Sequence, residues 1–185
     1  MTPRKDLTLN FLMILAMLSW GLSWTNGKIL GTYGNVNIVI VWRFFFASLF
    51  FFPYLLYTRR SLLPNRNSIH HILINSVLII GYNIFYFAGT KIGYAGSGGV
   101  LVTTFNPILT TIIMSFFSLK RISINEKIGL ALGIVGGAII IQIWKNNSFL
   151  QSGNIYFLLA SLSWALVTIN TYLCRRKIKF TTYSF

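Results

Sequence analysis

An all-α membrane helix bundle with about six transmembrane helices is the fold class this sequence predicts, on its composition, its apolar runs and the placement of its charge. The 185 residues are 55% hydrophobic and 10% charged, with a mean hydropathy of +0.67, which does not describe a water-soluble domain. Apolar runs of about 18 to 25 residues, each able to cross roughly 30 Å of hydrocarbon as a helix, recur between short charged stretches. Backbone amides facing lipid must bond within their own segment, and the runs lack the alternating polarity of barrel strands, so helices are predicted.

The first span is expected from Leu7 to Leu30. Arg4 and Lys5 precede it as in a secretion signal, but the run is longer than a typical signal core and has no small-x-small exit before Trp20 and Trp24. It reads as a retained helix. Trp20 and Trp24 share one face, Ser19, Ser23 and Asn26 its neighbour, and Trp20 falls near mid-membrane, where an indole N–H needs a partner. A second span, Val36 to Tyr57, carries Arg43 about two turns from its outer end. Burying a guanidinium is costly, so Arg43 either snorkels, bonds to helix ends, or attracts an anionic solute group.

In the third span, Ile72 to Gly89 with its polar face reaching Thr90, residues Asn75, Tyr82, Tyr86 and Thr90 fall at i, i+7, i+11 and i+15. That spacing puts them on one face, turned either to a water-accessible cavity or to neighbouring helices. The fourth span, Tyr94 to Leu119, is interrupted by Asn106-Pro107, which predicts a kink or local unwinding near Thr103, Thr104 and Thr110. Ile128 to Trp144 forms the fifth, where Gly129, Gly133 and Gly137 make a stripe for close helix approach. The sixth runs from Ile155 to Cys174.

A net charge of +14 would point to nucleic acid in a soluble protein, but twelve of the sixteen Lys and Arg residues precede the first span or follow the second, fourth and sixth. This is the positive-inside pattern, with a cytoplasmic N-terminus and basic loops facing anionic lipid rather than nucleic acid. The expected location is a cell membrane, taken as a bacterial inner membrane. Asp6 and Glu126 are the two carboxylates, both near the cytoplasmic interface, so no acid/base pair, nucleophile constellation or metal cluster supports an enzyme. His70 and His71 lack the spacing of a helical metal pair, Gly96, Gly98 and Gly99 lack the rest of a phosphate loop, and Cys174 stands alone. No cofactor is expected.

At an offset of 144 residues, Leu15, Ala16, Leu18, Ser19, Trp20, Leu22 and Asn26 recur as Leu159, Ala160, Leu162, Ser163, Trp164, Leu166 and Asn170. Five spans separate the copies, so the second crosses the membrane in the opposite direction: an inverted repeat, as transporters often contain. Trp20 and Trp164 would then lie at equivalent depths, with Asn26 and Asn170 towards opposite surfaces.

Several stretches resemble the EamA type of the drug/metabolite transporter superfamily. They are "SWGLSWTNGK", "WRFFFASLFFFP", "GYAGSGGVLVTTFNPILTTII", "EKIGLALGIVGGAIII" and "GNIYFLLASLSWAL", in order over about residues 8 to 175. The resemblance implies ten helices in two inverted five-helix repeats, the first at residues 7–145 and the start of the second at 153–185. Two positions depart from it: Lys120-Arg121 stands where a Glu is usual, and Asn37 where a proline is frequent. A small-molecule carrier is therefore expected, working by alternating access on a metabolite or amino-acid-like solute. Trp20, Trp24, Asn26, Arg43, Asn75, Tyr82, Tyr86, Thr104, Asn106, Trp164 and Asn170 are the candidate pathway residues. The alternative is a non-transporting membrane subunit or an inactive truncated product. Helices seven to ten are expected from a longer C-terminal half or from a second chain.

Overall fold

The computed structural model describes residues 3–57, 69–117, 122–142, 144 and 153–174, without the side chains of 3–6, 140 and 141. Among the described residues six helices form the bundle: α1 (Pro3–Tyr33), α2 (Val36–Tyr57), α3 (Ile69–Ile92), α4 (Ala95–Phe116), α5 (Ile124–Ile141) and α6 (Asn154–Cys174). Of these, α1, α2, α3, α4 and α6 are long and apolar enough to cross a membrane. No strand occurs among the described residues. The loop cations expected to mark the inner surface, Lys127 apart, lie outside the described residues or are described in backbone only.

Most helices run beyond the predicted spans, because an apolar window marks the hydrocarbon crossing whereas a helix continues into the interface. The start of α5 shows the cause. The Ser123 hydroxyl accepts from the Glu126 amide while the Glu126 carboxylate accepts from the Ser123 amide, so a capping box opens the helix four residues before Ile128. Between α1 and α2 the turn is Gly34-Asn35, and Asn35 Oδ1 accepts from the Asn37 amide at 3.0 Å. A proline at 37 has no such amide, so the departure at Asn37 is matched by a side-chain cap.

At Asn106-Pro107 the structure rules out one of the two expected outcomes, local unwinding: α4 passes through Pro107 as one continuous helix. Proline removes one bond from the ladder, but unwinding would leave several backbone groups without partners in hydrocarbon.

The centre of the bundle is α3, which packs against α1, α2, α4 and most extensively α6. A core of Trp24, Ile40, Tyr82, Tyr86, Phe87, Leu101, Val102, Phe157 and Ala160 surrounds it. The Phe157 ring, fully buried on α6, fills a notch between α3 and α4 that exists because positions 89 and 98 are glycine. At the foot of α6, Gly153 has φ +72° and sits so close to the Gly89 carbonyl that a Cβ would be 2.9 Å from it. Of the predicted stripe, Gly133 and Gly137 of α5 face Thr104, Phe105 and Ile108 of α4, whereas Gly129 meets nothing within 4 Å. The outward faces of α1 and α2 remain uncovered by protein, with Phe50 80% exposed, as lipid-facing helices require.

Gly98→Ala would set a Cβ 2.5 Å from the Phe157 ring and 2.8 Å from Trp24, whereas Gly129→Ala meets nothing within 4 Å. Thermal unfolding in detergent should show the first destabilised by about 1 to 3 kcal/mol and the second unchanged.

Candidate functional site

Polar side chains on α3 gather into two groups, one at mid-helix and one near its N-terminal end. The first is built around Tyr86, whose hydroxyl donates to the Ser23 carbonyl of α1 at 2.7 Å. It reaches that backbone because Gly27 leaves space one turn along α1, where any Cβ would overlap the phenol. Trp24 lies against the same ring at 4.7 Å between centroids, and Tyr82 continues the row at 6.0 Å. Across from them α2 brings Arg43 over the Tyr86 ring, 5.6 Å from its centroid, while Nη1 donates to Asn83 Oδ1 at 3.1 Å. The guanidinium thus meets an amide and a π face, and Arg43 as a whole is exposed. The Trp24 indole Nε1 is buried with no hydrogen-bond partner among the described residues.

At the other end, Asn170 of α6 donates from Nδ2 to the His71 carbonyl at 2.8 Å and to Asn75 Oδ1 at 2.7 Å. With Nδ2 so committed, its Oδ1 faces His71 Nδ1 at 2.6 Å, which makes Nδ1 the protonated donor. Asn75 Nδ2 in turn donates to Thr171 Oγ1 at 3.0 Å, and Thr171 donates to the Val167 carbonyl. Interhelical hydrogen bonds in membranes average ~0.6 kcal/mol each, so the four that cross between α3 and α6 contribute about 2 to 3 kcal/mol. Among the described residues no group of three or more His, Cys, Asp or Glu could hold a metal ion.

Against known proteins, a model of the EamA-like transporter family matches residues 7–142. The chain belongs to this EamA-like family. It is 26% identical over 156 residues to an S-adenosylmethionine uptake transporter of Rickettsia bellii, covering 84% of this chain and 52% of that one. The corresponding transporter of Rickettsia felis is 25% identical over 157 residues, with the same coverage of both chains. An uncharacterized transporter of Bacillus subtilis, YyaM, is 22% identical over 183 residues, 95% of this chain and 58% of the relative. No solved structure matches. The chain spans about half the length of the curated relatives it matches, and those relatives are named as transporters rather than enzymes.

Within this EamA-like chain the predicted pathway residues separate into three sets. Trp24, Arg43, Tyr82 and Tyr86 come together at mid-α3, and Trp164 joins them by packing on Tyr82 at 4.8 Å. Asn75 and Asn170 meet in the network at the other end. The remaining four lie apart. Trp20 is 41% exposed and touches Trp24 edge-on, Asn26 is exposed on α1, Thr104 faces the α5 glycines, and Asn106 Oδ1 accepts locally from Thr110.

Sequence reasoning does not single out Asn83, Lys28 or Phe157, and it weighs His71 only as half of a metal pair whose spacing is wrong. Asn83 sits eight residues after Asn75, on the same α3 face, so its periodicity was available. Lys28 donates to the Thr90 and Gly93 carbonyls at 3.2 and 2.6 Å, closing the C-terminal end of α3, and no local pattern announces such a long-range cap.

Tyr86→Phe keeps the ring contacts and loses one bond, so unfolding in detergent should show a loss of about 1 kcal/mol or less. Tyr86→Ala empties the centre of the cluster, and about 3 to 5 kcal/mol is expected by the same measurement.

Proposed function

We propose that this chain forms the first part of an alternating-access carrier for a small amino-acid-like metabolite, with the Arg43–Tyr86 cluster as its solute-binding wall. The observation that carries this reading is the state of Arg43. Among the described residues its partners are the Asn83 amide and the Tyr86 ring, and no carboxylate pairs with it. A guanidinium left so can take a solute carboxylate, while Trp164, 39% exposed and backed by the buried Tyr82, offers a π face to a cationic or flat portion of the same molecule. S-Adenosylmethionine, named for two relatives, carries a carboxylate, a sulfonium and a planar base, so it is the first solute to test.

Residues 7–145 serve in this reading as one five-helix repeat and 153–185 as the start of an inverted second, with the N-terminus in the cytoplasm of a bacterial cell. The remaining helices, from a longer chain or a partner, complete the opposite wall. Asn26, exposed on α1, would meet a mate of α3 there as Asn170 meets Asn75 here.

In cells expressing the chain in its native genomic frame, uptake or exchange of labelled S-adenosylmethionine or free amino acids should be saturable. Arg43→Gln should lower that flux at least tenfold, a loss of about 1.4 kcal/mol or more, with folded protein retained in the membrane. Absence of saturable flux for every amino-acid-like solute tried would sink the substrate class, and full activity in Arg43→Gln would remove Arg43 from the site.

A further inference from the structure

The His71–Asn75–Asn170–Thr171 network has a composition and a position that packing alone does not call for. Elsewhere the contact between α3 and α6 is made by rings and small residues: Phe157 in the Gly89 notch, Gly81 beside Ser163, Trp164 on Tyr82. Such contacts separate gradually and carry little direction. At the His71 end four hydrogen bonds cross together, and Asn170 takes part in three of them. Remove Asn170 from its place and His71, Asn75 and Asn170 itself all lose partners at once, so the arrangement has two states, engaged and released. Those helices fall in different repeats on the inverted-repeat reading, so a bond between them governs whether the repeats can part at that end.

We propose that this network is a latch that closes the pathway at the end of the bundle where α3 begins and α6 finishes, with Asn170 as its bolt and His71 Nδ1 as its donor. The charge pattern assigns that end to the cytoplasm. Closing a solute pathway rests on the alternating-access reading above; the existence of a breakable latch does not. His71 and Asn170 are positioning residues here, acting on the relation of two helices and touching no solute.

The chain carries its own reporter. Cys174 is its single cysteine, lies one turn beyond Asn170 on the same face of α6, and is 1% exposed. A released latch uncovers it. The experiment is the rate of Cys174 modification by a water-soluble maleimide in vesicles permeabilised to admit the reagent from both sides, measured beside helical content and thermal midpoint.

Asn170→Ala removes three bonds, and at their average worth the labelling rate should rise roughly twentyfold with helical content and midpoint near the parent values. Because a truncation can loosen a bundle generally, the His71 series decides between a latch and mere filling. Asn at 71 can set an N–H where Nδ1 stands, so His71→Asn should stay close to the parent rate, whereas His71→Leu and His71→Gln should label several-fold faster. Labelling unchanged in Asn170→Ala, or His71→Asn as fast as His71→Leu, would overturn the latch. Labelling that follows these expectations in a protein that moves no solute would keep the latch and reject the carrier reading, so the two failures are separable.

Discussion

Hydrocarbon accepts and donates no hydrogen bonds, and the polar face of α3 makes that the ruling constraint on this bundle. Asn75, Asn83, Tyr86 and Thr90 are all buried, and each must be satisfied by protein. The backbone of α1 serves Tyr86, Arg43 of α2 serves Asn83, and α6 serves Asn75, while Thr90 turns back on its own helix. The identity of α3's neighbours thus follows from where its polar residues stand. Apolar contacts then set the distances, with Phe157 in its glycine notch fixing how near α6 lies to α3 and α4.

Much of this was legible in the sequence, and the boundary of legibility has a physical form. The span of α2 was read to the residue, and α1, α3, α4 and α6 within a few residues, because in lipid the apolar window and the helix nearly coincide. The one-face spacing of Asn75, Tyr82, Tyr86 and Thr90 pointed inward because a helix has a fixed period. What the spacing could not say is what they would meet: Ser23 offers a carbonyl that any residue type could have offered, and Asn26 lies exposed although its repeat mate Asn170 is bound. Period gives direction, and partners come from tertiary structure.

Of the two outcomes expected at the proline, unwinding is excluded for a related reason. A helix-breaking residue was weighed by its local effect, yet in a membrane the alternative to a helix is worse than in water, and α4 continues through Pro107. The capping box at Ser123 and Glu126 is a recognisable motif, but it lies outside the apolar window that marks the span. Caps belong to the interface, where the sequence is polar and the hydropathy signal ends.

The pairing of α6 with α3 and α4, rather than with its sequence neighbour α5, has a consequence for how the molecule comes to exist. His71 and Asn170 are separated by 99 residues, so the helix that completes α3's surroundings is made last among those described. Until α6 has entered the bilayer, the glycine notch stands empty and the amide of Asn75 lacks both α6 partners. A half-synthesised bundle is therefore a sticky one, with an open seam and unspent polar groups. That seam closes when α6 arrives and its side chains take up the places open on α3.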